Sequence, residues 1–297
     1  MKTRSFEERA LLRALAWYRV QDYLPTLIEL EMIAEAPTIA QALRALQSEG
    51  VCQMLDGRVC FPQDAHLQTL HDERERVFAR KWAHARLLVS FIRWIPSIRF
   101  CALANTTALM HARDEADIDF FIVVRTGSLW LTRIVLGGVA WLFRKRPGER
   151  FAERDAWCFS FLMDDHDLSL KRFALAEGDP YLKAWVIRLV PLLDDGVGAD
   201  LWRANAWAWN HRAVQAPWIA WQTIPSRRGL VPSFMQRGER IAYRIQQRFG
   251  SKELKKQART GQTHVVMDDH VCKTHVEDRR AWYRETYEAL LRERGIE

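Results

Sequence analysis

The stretch "ADIDFFIVV" (residues 116–124) places two carboxylates one residue apart at the mouth of an apolar run. Residues i and i+2 of a β-strand project from the same face. Asp117 and Asp119 therefore point together, Ile118 lies behind them, and Phe120 to Val124 root the strand in a core. Like charges held this close repel, and burying either one without a partner is costly. A divalent cation removes that difficulty, because Mg²⁺ is held by carboxylate oxygens together with substrate phosphates. The bland alternative is a strand edge with two solvated acids.

The sequence on either side builds a small α/β unit around this strand. "HDERERVFARKWAHARLLVSFIRWI" reads as one helix, charged in its first half and apolar in its second, and Pro96 ends it. "IRFCALA" (98–104) follows as a fully buried strand, and "NTTALMHAR" as a turn and short helix leading back to the aspartates. A long apolar helix (129–143), the basic loop "RKRPGER" and a third strand, "AWCFSFLM" (156–163), complete the pattern.

Composition bounds the rest. The 297 residues are 48% hydrophobic and 27% charged, with a net charge of +7, which describes an ordinary folded chain that tolerates an anionic partner. Five scattered cysteines without a CxxC pair read as free thiols in a reducing compartment. The N-terminus is charged and helical, unlike a signal peptide. The longest apolar segment, 129–143, contains Arg133 and falls short of the roughly 20 residues a bilayer span needs. A cytoplasmic protein with no membrane partner is the expectation.

Three regions emerge. Residues 1–66 read as helices followed by a hairpin with Asp56-Gly57 at its turn, a winged-helix-like domain. Its third helix offers only one positive charge, Arg44, among its polar residues, so packing or partner docking is favoured over reading DNA. Residues 67–175 hold the α/β unit. Residues 176–297 are expected to form a helical region rich in tryptophan, with "LKAWVIRLVPLL" read as an amphipathic helix. The fold class is thus α+β, an α/β core flanked by a winged-helix-like domain and a C-terminal helical region.

The strand ending in Asn105-Thr106-Thr107, the short helix with Ala112 near its end, and Asp117-Ile118-Asp119 on the next strand together resemble the nucleotidyltransferase (polymerase β-like) superfamily. Its signature is a strand ending in Gly-Ser, a short helix, then Asp-x-Asp. Asn105 stands at the glycine position and Thr106 at the serine position. "DIDFFIVVRTGSLWLTR" followed by "WCFSFLMDDHDLSL" resembles, more narrowly, bacterial and archaeal members that carry an N-terminal winged helix; the likeness spans about residues 98–175. The resemblance implies Mg²⁺-dependent transfer of a nucleoside monophosphate from an NTP to a hydroxyl or phosphate acceptor. Asp117 and Asp119 would bind the metal, and Asn105, Thr106 and Thr107 would meet the triphosphate. A third catalytic carboxylate is expected from the neighbouring strand. That strand has no acid inside it; Asp155 precedes it and Asp164 follows on the opposite parity, and Asp155 is taken for the role. The competing class is a catalytically degenerate scaffold that binds nucleic acid or a partner protein.

Other features carry weaker signals. Arg237, Arg240, Arg244 and Arg248 form a stripe on one helix face, a solvated basic face or a nucleic-acid contact. They belong to a segment, 225–260, with ten Lys/Arg against two acids. The tryptophans from Trp202 to Trp221 read as core more readily than as base-stacking platforms. "HVVMDDHVCKTH" (264–275) holds metal-ligand residue types without a zinc spacing.

Overall fold

A computed structural model describes residues 3–36, 38–148, 154–209, 223–225, 233–249, 251–261, 263–275 and 277–296. The chain is a mixed α+β protein in which one sheet organises most of the length. Ahead of that sheet, three helices, α1 (Phe6–Arg19), α2 (Leu27–Ile33) and α3 (Ala40–Ser48), pack with the hairpin β1 (Gln53–Leu55) and β2 (Arg58–Cys60). Capping boxes start α1 and α2, where Ser5 with Glu8 and Thr26 with Glu29 satisfy amides that a helix leaves open. Asp56 and Gly57 both take positive φ, the conformation of a type I′ hairpin turn. Leu11, Leu15, Leu30, Leu43 and Leu46 close a core of their own there.

The long helix α4 (Leu67–Ile92) leads into β3 (Ile98–Leu103), the short α5 (Asn105–Ala108), β4 (Ile118–Val124), α6 (Leu129–Leu142) and β5 (Trp157–Asp164). Strand β3 runs antiparallel to β4, and β4 parallel to β5. Every residue of β4 except Asp119 is buried, as the apolar run requires of a central strand. Alternation divides it cleanly. Ile118, Phe120, Ile122 and Val124 face a core covered by α4 and α6. Phe121 and Val123 face the opposite core, and Asp119 shares their side.

The expectation of a helical region from residue 176 is overturned. Its chain supplies both edges of the same sheet, whose order is β7-β6-β3-β4-β5-β9-β8. The segment read as one amphipathic helix splits into α7 (Pro180–Ile187) and β6 (Val190–Asp194), which pairs antiparallel with β3. Pro191 is the physical reason, since it removes a helix donor. Among the described residues β7 (Ile224–Pro225) pairs with Leu193 and Asp194 and not with Pro191, so no ladder donor is lost there. Helix α8 (Gly198–Ala204) precedes β7, and α9 (Ser233–Phe249) and α10 (Lys252–Ala258) follow it, with a last strand pair between α10 and α11 (Arg280–Glu293). On the far edge, β8 (Val265–Met267) and β9 (Val271–Thr274) form a hairpin that pairs with β5. Among the described residues no helix is long and apolar enough to cross a membrane.

Trp202, Trp207 and Trp209 pack against the core on the Phe121 side, and Trp202 stacks on Trp209 at 3.4 Å between ring centroids. Trp218 and Trp221 lie outside the described residues. Arg240, Arg244 and Arg248 are exposed on α9, while the side chain of Arg237 lies outside the described residues. Glu239 of the same helix turns inward. Its carboxylate accepts from the backbone amides of Trp130 (2.7 Å) and Leu131 (2.9 Å), capping α6 from a neighbouring helix.

Candidate functional site

The floor of the site is the end of β3 and the start of β4. Asn105 takes φ +52°, a left-handed conformation in which asparagine is the usual substitute for glycine. The backbone turns sharply there and exposes Thr106, while Thr107 is buried. The Ala104 amide donates to the Asp119 carbonyl at 3.0 Å, tying the turn to the Asp strand. Asn105 does more than tolerate the turn. Its Oδ1 accepts from the Trp185 indole at 2.8 Å, and its amide donates to the Asp119 carboxylate.

Asp119 lies on the Phe121 side of β4 and Asp117 directly precedes the strand, with Ile118 between them buried on the opposite side. Burial raises the pKa of both carboxyls. For Asp117 the raised value is opposed only by the charge of Lys81. Asp119 reaches about 6, lifted chiefly by desolvation against hydrogen bonds from Asn105 and Cys158, with the Asp117 charge adding to the rise. Neither carboxylate is in an ion pair among those formed by the described residues. Each is an anion short of positive charge.

Asp155 occupies the opposite situation, and the structure corrects its expected role. Lys81, completely buried, donates to its Oδ1 at 2.8 Å, and Arg80 Nε donates to its Oδ2 at 2.7 Å. Burial works against its charged form, but these hydrogen bonds outweigh it and hold the carboxyl below the usual aspartate range. Ile118 pairs with Trp157 and Asp119 with Cys158, and a bulge then brings Phe161 and Met163 onto the Asp119 side. Asp155 precedes β5 in a left-handed conformation (φ +56°), so strand parity does not place it, and Arg80 and Lys81 of α4 hold its carboxylate. Asp164 sits at the far end of β5 and pairs with His270 at 2.9 Å. Where a third acid would face Asp119, the chain has the Cys158 thiol.

The site opens into a cleft of about 420 Å³ that holds Asn105, Thr106 and Asp119 on one wall. Tyr181 and Trp185 of α7 form its aromatic floor, and Trp185 stacks on Phe161 with centroids 5.6 Å apart. The facing wall comes from β9 and the start of α11: Lys273, His275, Asp278 and Arg280. Lys273 is buried between Phe161 and Phe173 and donates to the Thr263 carbonyl at 2.7 Å. Desolvation, aided by Arg280, pulls its pKa down to about 7 against the charges of Asp278 and Asp179. Burial and the same cations lower His275 to about 4. Arg280 is held by Asp278 (2.6 Å) and Asp179 (2.9 Å), so it braces the wall.

Lys273, Trp185 and Tyr181 were not legible as site residues. A signal for the first existed: "VVM" and "VCKT" alternate on either side of Asp268-Asp269-His270, which is a hairpin pattern. That hairpin sets His264 and His275 into the cleft. Among the described residues no three His, Cys, Asp or Glu side chains come together to hold a metal ion, there or elsewhere. Compared with models of protein families, with curated proteins and with solved structures, the chain matches none.

Proposed function

We propose that this chain binds a magnesium–nucleoside triphosphate at Asp117 and Asp119 and transfers its nucleotidyl group to a hydroxyl or phosphate acceptor. One observation carries the reading. Asp119 faces the cleft beside a left-handed turn and Thr106, Asp117 lies two residues before it, and both carboxyls have raised pKa and form no ion pair among the described residues. The donor set fits Mg²⁺, which commonly takes one or two protein carboxylates and completes its shell with water and substrate phosphates. Bound there, the ion would neutralise charge on the transferring phosphoryl group.

The remaining work falls to the chain itself. Asn105 fixes the Asp119 carboxylate while Trp185 fixes Asn105, so the acid is held in place before a ligand arrives. Thr106 presents its hydroxyl to the cleft. Tyr181 and Trp185 offer aromatic edges and faces to a base or an acceptor, and Lys273 places a positive charge on the facing wall when protonated.

A second reading has a specific observation behind it. Asp155 is sequestered by Lys81 and Arg80, and Cys158 faces Asp119 where a third acid would complete a two-metal site. A scaffold that binds nucleotide without turning it over has this arrangement too. Calorimetric titration of each NTP with Mg²⁺ into wild type and into Asp117→Asn/Asp119→Asn tests the shared premise. Metal-dependent binding that disappears in the variant is expected. Equal binding in both, or none in either, refutes a nucleotide role for the acids. Pyrophosphate release from the bound NTP then separates transfer from binding.

A further inference from the structure

The two faces of the sheet are covered differently. Helices α4, α6 and α9 pack their inner sides on the Ile118 face, and their outer sides form one layer. That outer surface is apolar at several points. Trp94 just beyond α4 is 56% exposed, Trp141 and Leu142 at the end of α6 are 59% and 71% exposed, and Ile241 on α9 is 61% exposed. Phe91 and Ile245 are exposed beside them, and Phe91 meets Phe143 at 4.7 Å between ring centroids, joining α4 to the end of α6. On the opposite face, among the described residues, α7 and α8 expose no large apolar side chain, and α11, packed against α7, exposes one, Trp282 at 54%.

Away from the first half of α4, where Asp72, Glu73 and Glu75 are exposed, positive charge dominates this layer. Residues 81–98 contain no acid, and neither do 129–148, where Arg133, Arg144, Lys145 and Arg146 lie. Helix α9 adds exposed Arg240, Arg244 and Arg248. Its one acid, Glu239, is turned inward onto the first amides of α6. Arg93 lies over the Trp94 ring at 5.9 Å, an amphipathic pair with a charged head and an aromatic body.

We propose that the outer surface of α4, α6 and α9 seats on an anionic lipid bilayer. Tryptophan and aliphatic side chains at the rim of a folded domain partition into the headgroup region, and the surrounding arginines meet lipid phosphates. The sequence led to no expectation of a membrane because no segment is long enough to span one. An interfacial seat needs no span; it needs an apolar face ringed by cations. Nucleic acid fits less well, because Leu142, Ile241 and Ile245 offer no ring to stack on a base. The seat is independent of the nucleotide reading, since its residues lie on the far side of the sheet from Asp119.

Vesicle flotation tests it with the full chain and no nucleotide. Vesicles of phosphatidylcholine alone are compared with vesicles of phosphatidylcholine and phosphatidylglycerol in equal parts. Wild type is expected to float with the mixed vesicles, not with the neutral ones, and less as salt rises. Trp141→Ser/Leu142→Ser and Arg240→Ser/Arg244→Ser are each expected to weaken partitioning roughly tenfold or more. All four positions are exposed, and an unchanged unfolding midpoint verifies that each variant folds. Failure of wild type to float with anionic vesicles, or equal flotation of the Trp141/Leu142 variant, overturns the proposal. So does sedimentation showing a wild-type dimer that this variant splits, which assigns the face to a second copy. Binding to short DNA in the absence of vesicle binding assigns it to nucleic acid.

Discussion

Asp155 and the pair Asp117–Asp119 lie on either side of the place where β4 begins to pair with β5, and their carboxylates live in opposite environments. Asp155 is buried with two cations in hydrogen-bond contact, and its pKa is depressed. Asp117 and Asp119 form no ion pair among the described residues, and both pKa values are raised. The difference separates structure from function by charge balance. A satisfied acid holds Arg80 and Lys81 of α4 against the strand ends, while the other two have no ion-pair partner among the described residues, which is the state the proposed cation site requires.

The largest expected effect lies at the satisfied acid. Asp155→Asn leaves the completely buried Lys81 without its counter-charge, and chemical denaturation is expected to show a loss of about 3–5 kcal/mol. The pH signature has a definite sign. A depressed carboxyl contributes stability above its unfolded pKa, and the contribution is lost as pH falls through the folded value. Wild type should therefore lose more stability on acidification than Asp155→Asn does. If the variant is as stable as wild type at neutral pH, Asp155 is not the structural member of the comparison.

A smaller effect of the opposite sign is expected at Asp119. Its folded pKa of about 6 lies above the ordinary aspartate value of 3.8, so the folded state keeps a proton that the unfolded state releases between those values. Stability from this group falls as pH rises across that window. Asp119→Asn should stabilise the metal-free protein at neutral pH by on the order of 1 kcal/mol, after allowing for solvent screening, and by nothing below the window. Denaturation curves at several pH values check it, and a destabilised variant at neutral pH would remove the contrast with Asp155.

Much of this was written in the sequence, and the gaps have physical causes. The Asp-x-Asp strand, the preceding long helix and the strand ending at Asn105 follow from periodicity and from Pro96. Positive φ at Asn105 suits asparagine, which tolerates the left-handed region better than most residues. The parity that suggested Asp155 does not hold, because Asp155 precedes β5 at positive φ and a bulge changes which β5 residues share the Asp119 side. Strand β6 was hidden because "LKAWVIRLVPLL" is apolar on both sides of a helix-to-strand break, and short apolar runs do not distinguish the two. Lys273 was hidden because its burial depends on Phe161 and Phe173, which are more than 90 residues earlier in the chain.

The unpaired charge at Asp117 and Asp119 is tested most directly by the thermal unfolding midpoint of wild type and Asp119→Asn, each alone and with Mg²⁺ and ATP. Without ligand, Asp119→Asn should unfold at a higher temperature than wild type at neutral pH. With Mg²⁺ and ATP together, wild type should gain stability that Asp119→Asn does not, and Mg²⁺-free ATP should not substitute. Equal ligand-induced shifts in the two proteins, or a ligand-free variant that unfolds below wild type, would contradict the assignment of these acids as a cation site.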